Sequence, residues 1–139
     1  VELSPKTALI GHDGWADARL GDFHESDVFL TDYVAIQELR RSKGEFGIDK
    51  PALKEALNAL GDEAANHLEV VLQQAVAVHS SVIALTHVPP FKEAAWYEGG
   101  HSDDNYLPHF ACRATGNALR RVMDSQPQSH LLVLCGHTH

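Results

Sequence analysis

The sequence predicts an α/β fold built on a parallel sheet, and three observations carry that reading. Residues 131–134, Leu-Leu-Val-Leu, form an uninterrupted aliphatic run without helical spacing, the pattern of a strand buried on both faces. Residues 82–85, Val-Ile-Ala-Leu, repeat the design, and a helical pattern separates the two runs. Strand, helix, strand of this length makes a right-handed crossover unit, so the two strands should be parallel neighbours or near-neighbours. Both runs also end in histidine: Thr86-His87-Val88-Pro89-Pro90 follows the first and Gly136-His137-Thr138-His139 the second. Parallel strands release their side chains at one edge of the sheet, where ligands bind in open α/β folds. His-x-His in an extended segment puts both imidazoles on one side.

Taken in order, residues 7–10 read as a short strand ended by Gly11. The segment Gly11-His12-Asp13-Gly14-Trp15-Ala16-Asp17 is then a loop at a strand end, either a tight turn with a packed tryptophan or a place of function. Ser26-Asp27 can cap a helical pattern reaching residue 41, with Phe29, Leu30, Tyr33, Ile36 and Leu39 at helical spacing. Residues 42–50 read as a solvated loop. Asp49-Lys50-Pro51 opens a helix with the stripe Leu53, Leu57, Leu60, and Gly61 is expected to break or bend it. Residues 63–79 form a second amphipathic helix, with Ala64, Leu68, Val71, Leu72 and Ala75 inward and His67 and His79 at its surface or boundary. Residues 92–110 are long and irregular, dense in aromatic and ionisable groups, and read as a pocket wall. Within them, Asp103-Asp104 is either a solvated pair or one that approaches a metal. Residues 111–123 read as a helix and the last strand begins near His130.

Composition narrows the partners. The 139 residues carry 11 Lys+Arg against 19 Asp+Glu, a formal charge of −8 without a basic cluster larger than two arginines. That argues against a nucleic-acid polymer as partner. No apolar stretch approaches a membrane span, and two cysteines are too few for a disulfide framework, so a reduced, cytoplasmic setting is expected. A serine hydrolase lacks its Gly-x-Ser-x-Gly signature. Ten histidines in this length direct attention to metal.

Thr86-His87 with Pro89-Pro90, followed about fifty residues later by Gly136-His137-Thr138-His139, resembles the last two metal motifs of the calcineurin-like metallophosphoesterases. Gly11-His12-Asp13-Gly14-Trp15 is similar to the segment that follows the earlier motifs of that family. The resemblance implies a partial domain spanning residues 1–139, part of a four-layer α-β-β-α sandwich truncated at both ends. Val1 in place of an initiator methionine agrees with a start further upstream. It implies hydrolysis of phosphomono- or diesters by a metal-activated hydroxide at a dinuclear site of Mn, Fe, Zn, Co or Ni. By the same resemblance His87 and His137 bind one metal and His139 the other, and His12, Asp13 and Trp15 lie near a phosphate-ester substrate; Trp96 and His101 join them as substrate contacts from the pocket-wall reading of residues 92–110. The leaving-group role has only His12 and His101 as candidates.

The earlier motifs of the family, Asp-x-His, Gly-Asp-x-x-Asp and Gly-Asn-His, have no counterpart here. Asp22-Phe23-His24 matches the first as a string but follows no hydrophobic strand, Gly61-Asp62 lacks the second aspartate, and Asn66-His67 sits in a helical pattern. A bridging carboxylate is therefore missing, and the alternative expectation is a non-catalytic fragment or metal-binding module. A sheet cut open in this way would also leave an open edge and exposed apolar strand faces, which invite self-association.

Overall fold

The computed structural model describes residues 1–44 and 47–138, so the sequence-predicted ligand His139 lies outside the described residues. The strands are β1 (Glu2–Ser4), β2 (Thr7–His12), β3 (Lys43–Gly44), β4 (Gly47–Ile48), β5 (Ser81–Thr86), β6 (Trp96–Tyr97), β7 (Gly100–His101) and β8 (His130–Cys135). The helices are α1 (Asp32–Ala35), α2 (Lys50–Val76), α3 (Leu107–Phe110) and α4 (Arg113–Asp124). The fold is mixed α/β, and its main sheet has the order β1-β2-β5-β8. β2, β5 and β8 are parallel, with Ala8, Val82 and Leu131 in one row and Ile10, Ala84 and Val133 in another. β1 closes one edge as an antiparallel hairpin partner of β2, an element the sequence reading did not include.

Those two rows face the helices. Ala8, Val82, Leu68, Leu72, Leu119 and Val122 are buried together, so α2 and α4 cover one face of the sheet. The alternate rows point the other way, and there Leu85, Leu132 and Leu134 are 43%, 54% and 50% exposed. Side chains alternate along a strand, so a sheet covered on one side only leaves every second aliphatic residue bare. A second cluster lies beside the first half of α2, where Trp15, Phe23, Tyr33, Leu39, Leu53 and Leu57 pack together.

Two helical expectations meet a different outcome. The pattern over residues 27–41 yields only the single turn α1 and a 3-10 turn, Leu39–Ser42. Ser26 Oγ accepts from the Val28 amide (3.2 Å), as a cap would, but it also bonds the Asn105 carbonyl (2.8 Å) and His109 (2.8 Å), and no helix follows it. Conversely, the two helices expected on either side of Gly61 are one continuous α2 of 27 residues. Its start is as read, with Asp49 accepting from the Ala52 amide at 3.0 Å and Pro51 in the first turn. Gly61 does not interrupt the helix. It leaves room for a neighbour: a Cβ there would stand 2.4 Å from the Cβ of Asp17.

Among the described residues no helix is long and apolar enough to cross a membrane. Cys112 and Cys135 are unpaired, and burial pushes the Cys112 thiol up to about 11.

The contact at Gly61 gives a prediction opposite to helix propensity. An exposed helical Gly→Ala change gains up to ~1 kcal/mol, whereas overpacking costs ~1–3 kcal/mol. Gly61→Ala should therefore lower the unfolding free energy in urea, and a stabilised variant would contradict the close approach.

Candidate metal centre

The site forms where three parallel strands end. β5 and β8 stop in register at Thr86 and Cys135, so the loops that follow leave the sheet side by side. The Gly136 amide donates to the His87 carbonyl at 3.0 Å and ties the loops together. Thr86 Oγ1 donates to the Val88 carbonyl at 2.9 Å and tightens the first of them. α4 then holds that loop from below: the Cys112 amide donates to the Pro89 carbonyl at 2.9 Å. Gly116 lets the helix come this close, because a Cβ there would meet the Pro90 carbonyl oxygen at 2.1 Å. His137 has φ 71°, in the left-handed region that side chains other than glycine seldom adopt. Such backbone persists where surrounding contacts over-determine it, and these positions cluster at functional sites.

The imidazoles of His87 and His137 stand 4.9 Å apart, centre to centre, tilted by 57°. Two imidazoles on one ion, with metal–nitrogen bonds of ~2.0–2.1 Å, would have ring centres ~4.5 Å apart at a right-angled opening and ~5.2 Å at a tetrahedral one. The observed spacing lies between these, and it is also the spacing at which Trp15 and Phe110 pack on the same rings. Nitrogen donors of this type suit zinc, iron, manganese or cobalt. Among the described residues no group of three or more His, Cys, Asp or Glu side chains is arranged to hold a metal.

Trp15 completes the cluster. Its indole stacks on His87 (5.2 Å, 20°) and meets His137 edge to face (4.8 Å, 68°). Only 8% of its surface is exposed, and its Nε1 is buried without a hydrogen-bond partner. Phe110 closes on His137 from another side at 5.2 Å and 88°. The other sequence-predicted substrate residues are spread around this cluster. His12, at the end of β2, faces His67 of α2 at 5.0 Å and lies 3.6 Å from the exposed Asp13. Trp96 and His101 pair with each other across the β6–β7 hairpin, rings 5.2 Å apart, and His101 Nε2 donates to the Glu93 carbonyl. That hairpin reaches the site through aromatic contacts, Tyr97 to Phe110 (5.5 Å) and Phe110 to His137. The stretch read as an irregular pocket wall thus contains a hairpin and α3. It borders a cavity of about 290 Å³ between Lys92, His101 and Asp104. Asp22-Phe23-His24 is a turn in which Asp22 Oδ1 accepts from the His24 and Glu25 amides.

Two buried polar groups escaped the sequence reading. Asp17 is fully buried and accepts from the Ala114 amide at the start of α4 (2.8 Å), the Arg19 amide (3.2 Å) and the Arg19 guanidinium (3.3 Å). Arg19 also forms a two-pronged pair with Asp62 at 2.7 and 2.8 Å, which raises the guanidinium and lowers the Asp62 carboxyl from their ordinary ranges. The second group is His109, 2% exposed, between Ser26 and Tyr33. Ser26 spends its only proton on the Asn105 carbonyl, so His109 Nε2 donates to Ser26 and Nδ1 accepts from the Tyr33 hydroxyl. A serine whose proton is directed at a carbonyl, inside the core, is no nucleophile despite its histidine neighbour.

No protein-family model matches the chain, and neither does any curated protein or solved structure.

Burial, reinforced by the charge of Lys50, lowers His109 from 6.5 to about 4. The unfolded chain therefore binds the proton first, and stability present above pH 6.5 is lost as pH falls toward 4. At 1.36 kcal/mol per unit the loss reaches about 3 kcal/mol. Urea unfolding of wild type and His109→Gln between pH 4 and 7 should show this slope in wild type alone; equal slopes would contradict a buried neutral imidazole.

Proposed function

We propose that the protein is a metal-dependent phosphoesterase of the calcineurin-like type, hydrolysing phosphomono- or diesters. The observation that supports this reading best is the 4.9 Å approach of His87 and His137 at the common end of two adjacent parallel strands. In this reading both side chains hold one divalent ion through neutral ring nitrogens, and His139 reaches toward a second. Metal at this position would supply an activated water and stabilise charge developing on the phosphoryl oxygens. The chain's own contribution is positional. Trp15 backs both histidines and Phe110 flanks His137, while His87 stays exposed to solvent and open to a ligand. Exposed Trp96, with His101, lies on the hairpin beyond Phe110 and would meet the ester substituent. A second sheet laid on the bare face of Leu85, Leu132 and Leu134 would complete the four-layer sandwich.

One observation favours another reading: among the described residues no carboxylate or third donor joins the histidine pair. Two close dications need a bridging carboxylate, so these residues alone fit a metal-binding module without turnover.

Metal content and hydrolysis of p-nitrophenyl phosphate and its bis ester separate the two. The phosphoesterase reading predicts two ions per chain loaded with Mn²⁺ or Co²⁺, turnover of at least one ester, and a loss of at least ~100-fold in His87→Ala or His137→Ala. One weakly held ion without turnover would overturn it and support the module.

A further inference from the structure

We infer that Trp15 is a positioning residue for the metal-binding pair: its indole is a rigid template that sets the planes of both His87 and His137. The inference rests on the metal reading above and goes beyond it, because it assigns the preorganisation of the ligands to a residue that itself donates nothing to an ion. The geometry carries it. One aromatic system presents its face to His87 at 20° and lies steeply against His137 at 68°, and the two imidazoles are inclined to each other by 57°. Imidazole has a broad torsion about its ring bond, and Trp15 is the aromatic surface that His87 and His137 share, with Phe110 adding a second contact on His137. Fixing them before binding removes the ordering cost from the binding step.

A template works only if it is itself held, and the loop around Trp15 is fastened on several sides. Ala16 and Asp17, the next two residues, are fully buried. Asp17 is bonded through its side chain to α4, and its carbonyl accepts from Asn58 Nδ2 at 3.0 Å. On the other side of Trp15, Gly14 lies so close to α2 that a Cβ would stand 2.5 Å from that of Ala64. The indole therefore has a fixed floor, while the histidines come from different strands and touch it from different directions.

The test uses Co²⁺ alone, followed by calorimetry and by its visible ligand-field bands, with wild type, Trp15→Phe and Trp15→Leu. Phenylalanine keeps a flat face and leucine keeps apolar bulk without one. The expected result is wild-type-like bands and affinity within ~3-fold for Trp15→Phe, against altered bands and at least ~10-fold weaker binding for Trp15→Leu, with unchanged circular dichroism. Leucine performing as well as phenylalanine would overturn the template role while leaving the metal reading intact. Wild type that binds no Co²⁺ would overturn the metal reading and this inference with it.

Discussion

The arrangement depends on a carboxylate that water never reaches. Burying an ionised aspartate is costly unless each oxygen is satisfied, and Asp17 meets that demand with two backbone amides and a guanidinium. One amide belongs to the first turn of α4, where a helix leaves its N–H groups without intrahelical partners and favours negative charge. The carboxylate thus serves as a cap supplied from 97 residues away, and it fastens the loop after β2 to the helix that precedes β8. Gly61 makes the junction possible, since any side chain there would occupy the space of Asp17. Removing the carboxylate would leave Arg19, the α4 amide and the Trp15 loop without their common partner.

From that junction the site follows by topology. β2, β5 and β8 end together, so the loops after them, carrying Trp15, His87 and His137, share one rim of the sheet. α4 touches this rim at Pro89 and Pro90 and is itself capped by Asp17, so its position is set from both sides. The opposite end of the sheet carries no comparable cluster of rings among the described residues. Chemistry and fold are joined here by strand direction: antiparallel pairing of β5 and β8 would have put His87 and His137 at opposite ends.

Much of this was legible in the chain. The aliphatic runs at 82–85 and 131–134 specify parallel strands because their alternation is suppressed, and the histidines behind them are placed by that alone. The bare outer face is the one expected of a sheet whose domain is cut short, which leaves apolar strand faces uncovered, and Leu85, Leu132 and Leu134 lie on it. Gly61 was misjudged because a glycine demanded by a neighbour looks, in a sequence, like one that ends a helix. The pattern over 27–41 was misjudged because Tyr33 and Ser26 are claimed by His109, a residue 76 and 83 positions away. Asp17 gave little signal: two of its partners are backbone amides, which leave no trace in side-chain identity, and only Arg19 two residues on is a charged side chain.

Whether the rings of Trp15, His87 and His137 meet at one rim in solution is read directly from nuclear Overhauser contacts among their ring protons. Cross-peaks are expected from the indole to both imidazoles and between the imidazoles themselves, alongside the parallel β5–β8 contacts. Intact β5–β8 contacts without any cross-peak joining the three rings would contradict that arrangement.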